Sequence, residues 1–100
     1  MNDWISGSVV ITHEVGLHAR PSVNLTKLAK GFAAAVEVAG DPAGPWIDAK
    51  SIVKVMAMKA KQSSTLHVRA AGADAAAAVA ALVALVQRNF EESAAHAASG

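Results

Sequence analysis

The 100-residue chain has no cysteine and no tyrosine, and only two tryptophans, two phenylalanines and three prolines. Without cysteine there is no disulfide and no thiolate zinc site, which fits a reducing compartment. Trp4 and Trp46 are too few and too separated to make a base-stacking platform, and the net charge is only +1. Both features disfavour an RNA-binding domain, and no nucleic-acid partner is expected. A glycine-rich phosphate loop of the nucleotide type is also missing. The alanine- and valine-rich stretch at residues 75–86 is too short to span a bilayer and is flanked by Asp74 and Arg88. The start, Met1-Asn2-Asp3-Trp4, has neither a basic region nor a long apolar run. A cytoplasmic monomer without membrane insertion is the expectation.

What is present suffices for one small domain. Apolar residues make up 53% of the chain, enough for a single core, although many are alanines that bury little area each. Nine basic residues nearly balance eight acidic ones. Their placement is uneven: Lys50, Lys54, Lys59 and Lys61 fall close together, whereas Asp74, Glu91 and Glu92 lie later. A basic surface on a nearly neutral chain points to an acidic protein partner or to phosphate.

Periodicity predicts the order β-α-β-β-α-β-α. Residues 4–12 read as a strand, with Val9 and Ile11 on one face and Ser8, Val10 and Thr12 on the other. A helix follows over residues 19–30, with Leu25, Leu28, Ala29 and Phe32 at helical spacing and Gly31 as its stop. Residues 34–38 and 46–48 are strands around a Gly/Pro-rich turn. Ser51 is placed to cap a short helix over residues 52–58. Residues 65–71 alternate, with His67 and Arg69 outward, and Asp74 is read as the cap of a last helix. The stripe of that helix is Val79, Leu82, Val83, Val86 and Phe90. The resulting fold class is α+β, an open-faced two-layer sandwich. A four-stranded, mostly antiparallel sheet is covered on one face by three helices and solvated on the other. Residues 1–90 form the domain, and residues 91–100 are expected to be a flexible tail.

The run Gly16-Leu17-His18-Ala19-Arg20-Pro21-Ser22 carries the chemistry. His18 falls at the N-cap of the first helix, where free backbone N–H groups and the helix dipole favour an anion. Imidazole is a nucleophile that is neutral near pH 7 and also a good leaving group. Arg20 supplies a guanidinium for phosphoryl oxygens, and Pro21 suits a first helical turn because its missing N–H breaks no bond there. A His-x-Arg pair alone is common by chance. The seven-residue run between a strand and an amphipathic helix is far more specific. His13, His67 and His96 are scattered without a carboxylate cluster, so no metal site is expected, and no cofactor either.

Gly16-Leu17-His18-Ala19-Arg20-Pro21 resembles the active-site motif of HPr, the histidine-containing phosphocarrier family of the bacterial phosphoenolpyruvate:sugar phosphotransferase system. Lys50-Ser51-Ile52 resembles the family's second signature, and Gly72-Ala73-Asp74-Ala75 the start of its last helix. The resemblance implies a carrier without turnover of its own. His18 would take a phosphoryl group at Nδ1 from enzyme I and pass it to an enzyme IIA domain, with Arg20 supporting the group. It implies regulation at Ser51 by HPr kinase/phosphorylase in organisms that have that enzyme. It also implies a partner surface drawn from Pro21, Lys27, Lys30, Ile52, Val53 and Lys54. Residues 58–64, Met-Lys-Ala-Lys-Gln-Ser-Ser, depart from the glycine-rich stretch of many relatives. A specialised fructose, nitrogen-regulatory or dihydroxyacetone-kinase relay, or a regulatory module controlled through Ser51, are the alternatives.

Overall fold

The computed structural model describes residues 4–12, 19–88 and 90. Its elements run β1 (Ile5–Val10), α1 (Ala19–Lys30), β2 (Ala35–Ala39), β3 (Ile47–Asp48), α2 (Ile52–Ala57), β4 (Thr65–Ala71) and α3 (Ala75–Gln87). The strands form one sheet in the order β1-β4-β2-β3, and every neighbouring pair is antiparallel. The expected element order and sandwich are present, with a wholly antiparallel sheet. The expected tail, residues 91–100, lies outside the described residues.

Alternation along the strands decides which face is covered. Val9, Ile11, Val36, Val38, Leu66, Val68 and Ala70 are buried beneath the helices. They meet Leu25 and Ala29 of α1, Val55 of α2, and Ala78, Val79, Leu82, Leu85 and Val86 of α3 in one cluster. Gly7 lets α3 approach β1, because a Cβ there would sit 3.0 Å from a Val79 methyl.

Three readings of α3 need correction. Phe90 is buried, but the helix stops at Gln87 and Phe90 takes a left-handed backbone with φ 63°. Its carbonyl accepts from Asn24 Nδ2 of α1 at 2.7 Å, so it seals the helix end instead of extending the helical stripe. Val83 is only half-buried, whereas Leu85 is buried. Asp74 precedes α3 but makes no side-chain cap. Its carboxylate accepts from the Ala33 and Ala34 amides, at 2.9 and 2.8 Å, across the connection from α1 to β2. Gly72, with φ +140°, turns the chain against Ala34, whose Cα would lie 2.9 Å from any added Cβ.

The uncovered face is held by charge and aromatic rings. Arg69 of β4 stands opposite Glu37 of β2 and donates from Nε and Nη2 to Oε1, at 2.8 and 2.6 Å. The guanidinium carbon lies 4.3 Å from the Trp4 ring centre and 4.2 Å from that of Trp46. One cation thereby links the residues that enter both edge strands. Arg69 stands on the open face as expected, and there cross-strand neighbours gather it with the two tryptophans. On the covered side, the buried hydroxyls of Ser22 and Thr26 find no hydrogen-bond partner among the described residues.

Two outcomes follow from these contacts. Arg69→Ala loses two ring contacts and an ion pair, about 1–2 kcal/mol together. Urea unfolding reads the loss, and tryptophan emission shifts to the red as both rings become wetter. The two amide hydrogen bonds, Ala33 first, hold the Asp74 carboxyl below its ordinary value of 3.8, with Lys50 adding to the effect. The folded-state value is the depressed one. The stability Asp74 contributes is therefore fully present above 3.8 and is lost as the pH falls through the lowered value. Asp74→Asn is expected to be less stable at neutral pH and to show a shallower acid limb in stability measured against pH.

Candidate phosphohistidine site

His18, together with residues 13–17, lies outside the described residues. In the chain it directly precedes Ala19, the first residue of α1. Three features of the helix start suit an anion. The first turn contains no acidic side chain, so nothing there competes for the free amides. Arg20, in that turn, is exposed. Pro21 and Ser22 are buried, so their packing fixes where the turn points. Pro21, expected at the partner surface, is buried.

The outer face of α1 carries Arg20, Val23, Lys27 and Lys30, all exposed, at spacings that place them along one stripe. The opposite stripe of the helix holds the buried Leu25 and Ala29. Val23 was missed by the sequence reading. Its signal was available: an apolar residue at i+3 from Arg20 and four before Lys27, on the polar side of an amphipathic helix.

α2 packs beside α1. Ser51 caps it, with φ −107° and an Oγ that accepts from the Lys54 amide at 3.4 Å. The helix turns Val55 into the core and leaves Val53 74% exposed and Met56 39% exposed, with Ile52 half-buried and Lys54 exposed. Val53 is the most exposed apolar side chain of the group, so this helix presents apolar surface ringed by lysine. Lys50 differs from the other lysines. Its Nζ donates to the Phe32 carbonyl at 2.8 Å, so it joins α2 to the end of α1. The structure thus brings Arg20, Lys27, Lys30, Ile52, Val53 and Lys54 onto two adjoining helices, with Ser51 at the start of the second. Among the described residues there is no cluster of metal-ligating side chains.

The fold and the basic, partly apolar surface across α1 and α2 fit a small protein that meets acidic partners, and the family match gives the class, a phosphoryl carrier. Residues 5–88 match the family described as PTS HPr component phosphorylation site, and the chain belongs to that family. It is similar to the phosphocarrier protein HPr of Cupriavidus necator, 40% identical over 82 residues, covering 82% of this chain and 90% of that one. The phosphocarrier protein NPr of Escherichia coli K12 is 32% identical over 88 residues, covering 88% of this chain and 97% of that one. Among solved structures, HPr-C-His from Thermoanaerobacter tengcongensis superposes with a TM-score of 0.80 at 29% identity, covering 89% of this chain and 98% of that one. The protein is a phosphocarrier of the phosphotransferase-system type. No helix of the described residues is long and apolar enough to cross a membrane.

The Ser51 cap sets a measurable energy. Ser51→Ala removes the Lys54 amide's side-chain acceptor and is expected to cost about 1 kcal/mol, whereas Ser51→Asp retains a cap and loses less. Thermal unfolding of the two variants distinguishes them.

Proposed function

We propose that His18 accepts a phosphoryl group from phosphorylated enzyme I, charged by phosphoenolpyruvate, and passes it to an enzyme IIA domain in the cytoplasm. A ring-nitrogen lone pair forms the P–N bond as the donor's bond to phosphorus breaks. The reverse exchange releases the imidazole when the acceptor's nucleophile attacks. Both steps conserve the phosphoryl group, so the protein is a carrier, used and regenerated by other enzymes. The observation that carries the reading is the exposed Arg20 in an acid-free first helical turn, immediately after His18. Its guanidinium and the free amides offer donors to the phosphoryl oxygens without a covalent hold.

The stripe of Arg20, Lys27 and Lys30 on α1, with Val53 and Lys54 on α2, supplies the docking surface for acidic faces of both partners. Ser51 borders that surface. A phosphate there would be tolerated by the helix start and would add about two negative charges beside it, weakening association. HPr kinase/phosphorylase is the partner that this reading assigns to Ser51. Similarity to a phosphocarrier protein NPr, and to the dihydroxyacetone kinase phosphoryl donor subunit DhaM of Klebsiella michiganensis, favours one second reading, a specialised nitrogen-regulatory or dihydroxyacetone-kinase relay.

Incubation with enzyme I and radiolabelled phosphoenolpyruvate tests the carrier step. The expected label is acid-labile and base-stable and disappears in His18→Ala. Arg20→Ala retains the label but slows its transfer by about 10- to 100-fold, the worth of a charge-assisted contact. A label that persists in His18→Ala would move the carrier residue elsewhere.

A further inference from the structure

A cleft of about 540 Å³ opens between the turn from β2 to β3 and the segment that links α2 to β4. Its volume lies in the range of small-molecule sites. The floor is apolar, with Ile47, Met58 and Ala60 packed against the core. Three lysines line it: Lys54, Lys59 and Lys61, all exposed, and none forms an ion pair with a described residue. The facing wall includes Gly40, Gly44 and Pro45. Asp41 is the one carboxylate in the lining, and its Oδ1 accepts from the Ala43 amide at 2.8 Å.

Lys59, with φ 53°, directly follows the Met58 cap of α2, where a left-handed residue is an ordinary helix stop, so the end of this helix places its side chain at the cleft. Lys59 is exposed and lacks an acidic partner among the described residues. Three like charges around one concavity repel each other and concentrate anions there.

We propose that this cleft binds a compact phosphorylated metabolite, a carbon body bearing two anionic groups. The ammonium groups of Lys54, Lys59 and Lys61 would engage the anions, and the Ile47, Met58 and Ala60 floor would cover the carbon body. A small ligand is favoured over an acidic protein segment because three lysines and an apolar floor line a single cleft whose volume matches small-molecule sites. The site is distinct from the His18 end of α1, and its ligand is bound, not transformed.

An amide-resolved NMR titration of the unphosphorylated protein, without any partner, tests the site. The probes are inorganic pyrophosphate and phosphoglycerate. The expected result is saturable shifts at residues 40–44 and 59–64, with a dissociation constant of about 1 mM or tighter at low salt that weakens as salt rises. The double variant Lys59→Gly, Lys61→Gln should weaken binding by about tenfold or more. It should also keep or raise the thermal midpoint, since glycine suits the backbone at position 59. Absence of saturation at about 20 mM probe, well above the dissociation range expected, would overturn the proposal. So would shifts confined to the first turn of α1, or unchanged affinity in the double variant. A glutamate-rich peptide that occupies the cleft while both small anions fail would make it a protein-docking groove instead. Because enzyme I takes no part, failure here leaves the carrier reading of His18 untouched.

Discussion

One carboxylate holds the crossover on which the sandwich depends. The Asp74 side chain accepts from two successive amides, Ala33 and Ala34, at the point where the chain leaves α1 and enters β2. The same short segment receives Lys50 Nζ at the Phe32 carbonyl, and Gly72 lies against Ala34. The end of α1, the start of β2, the approach to α2 and the turn before α3 are thus pinned within a few residues. A helix anchored at its C-terminal end on this junction has a determined axis. Its N-terminal end, where Arg20 stands, is then set by packing of Pro21, Ser22, Leu25 and Ala29. The candidate site at the start of α1 therefore rests on a tether at the opposite end of the same helix.

The two faces of the sheet divide the work. The covered face buries valine, leucine and alanine against three helices, and this apolar burial supplies most of the stability. The open face has no helix, so its two edge strands need another link. Arg69 provides one, with Trp4 on one side, Trp46 on the other and Glu37 across the strand pair. Each such contact is modest by itself, but together they join the sheet from edge to edge. The helices are freed to present their outer stripes to partners.

Those outer stripes combine two kinds of surface. Exposed Val23, Val53 and Met56 offer apolar area, and Arg20, Lys27, Lys30 and Lys54 surround it with positive charge. On the proposed reading, the charge speeds encounter with acidic partners and the apolar centre gives contact area without a deep pocket. Such a moderate surface would suit a carrier that must release one partner before engaging the next.

Much of this architecture was legible in the residues. Alternation named the covered faces of the strands, Ser51 announced its cap, and the run from Gly16 to Ser22 offered the candidate carrier site through local patterns of charge, turn and helix start. These are short-range properties, decided by neighbours in sequence. Asp74 was read as a helix cap because its local position suggests one, yet its carboxylate is spent on amides some forty positions away. Pro21 was assigned to the surface, although packing buries it. Arg69 could not be paired with Trp4 and Trp46 before the strand order was known, since only the β1-β4-β2-β3 arrangement brings those elements together. The lysines after α2 read as part of a basic surface, and only the fold sets the turn from β2 to β3 opposite them across a cleft. By itself the sequence determined the order of the elements, the covered face and the candidate phosphocarrier motif, because each depends on periodicity or on a few adjacent residues. Tertiary structure alone decided the anchors, the open-face cation stack and the cleft, because each depends on side chains that meet only after distant strands have paired.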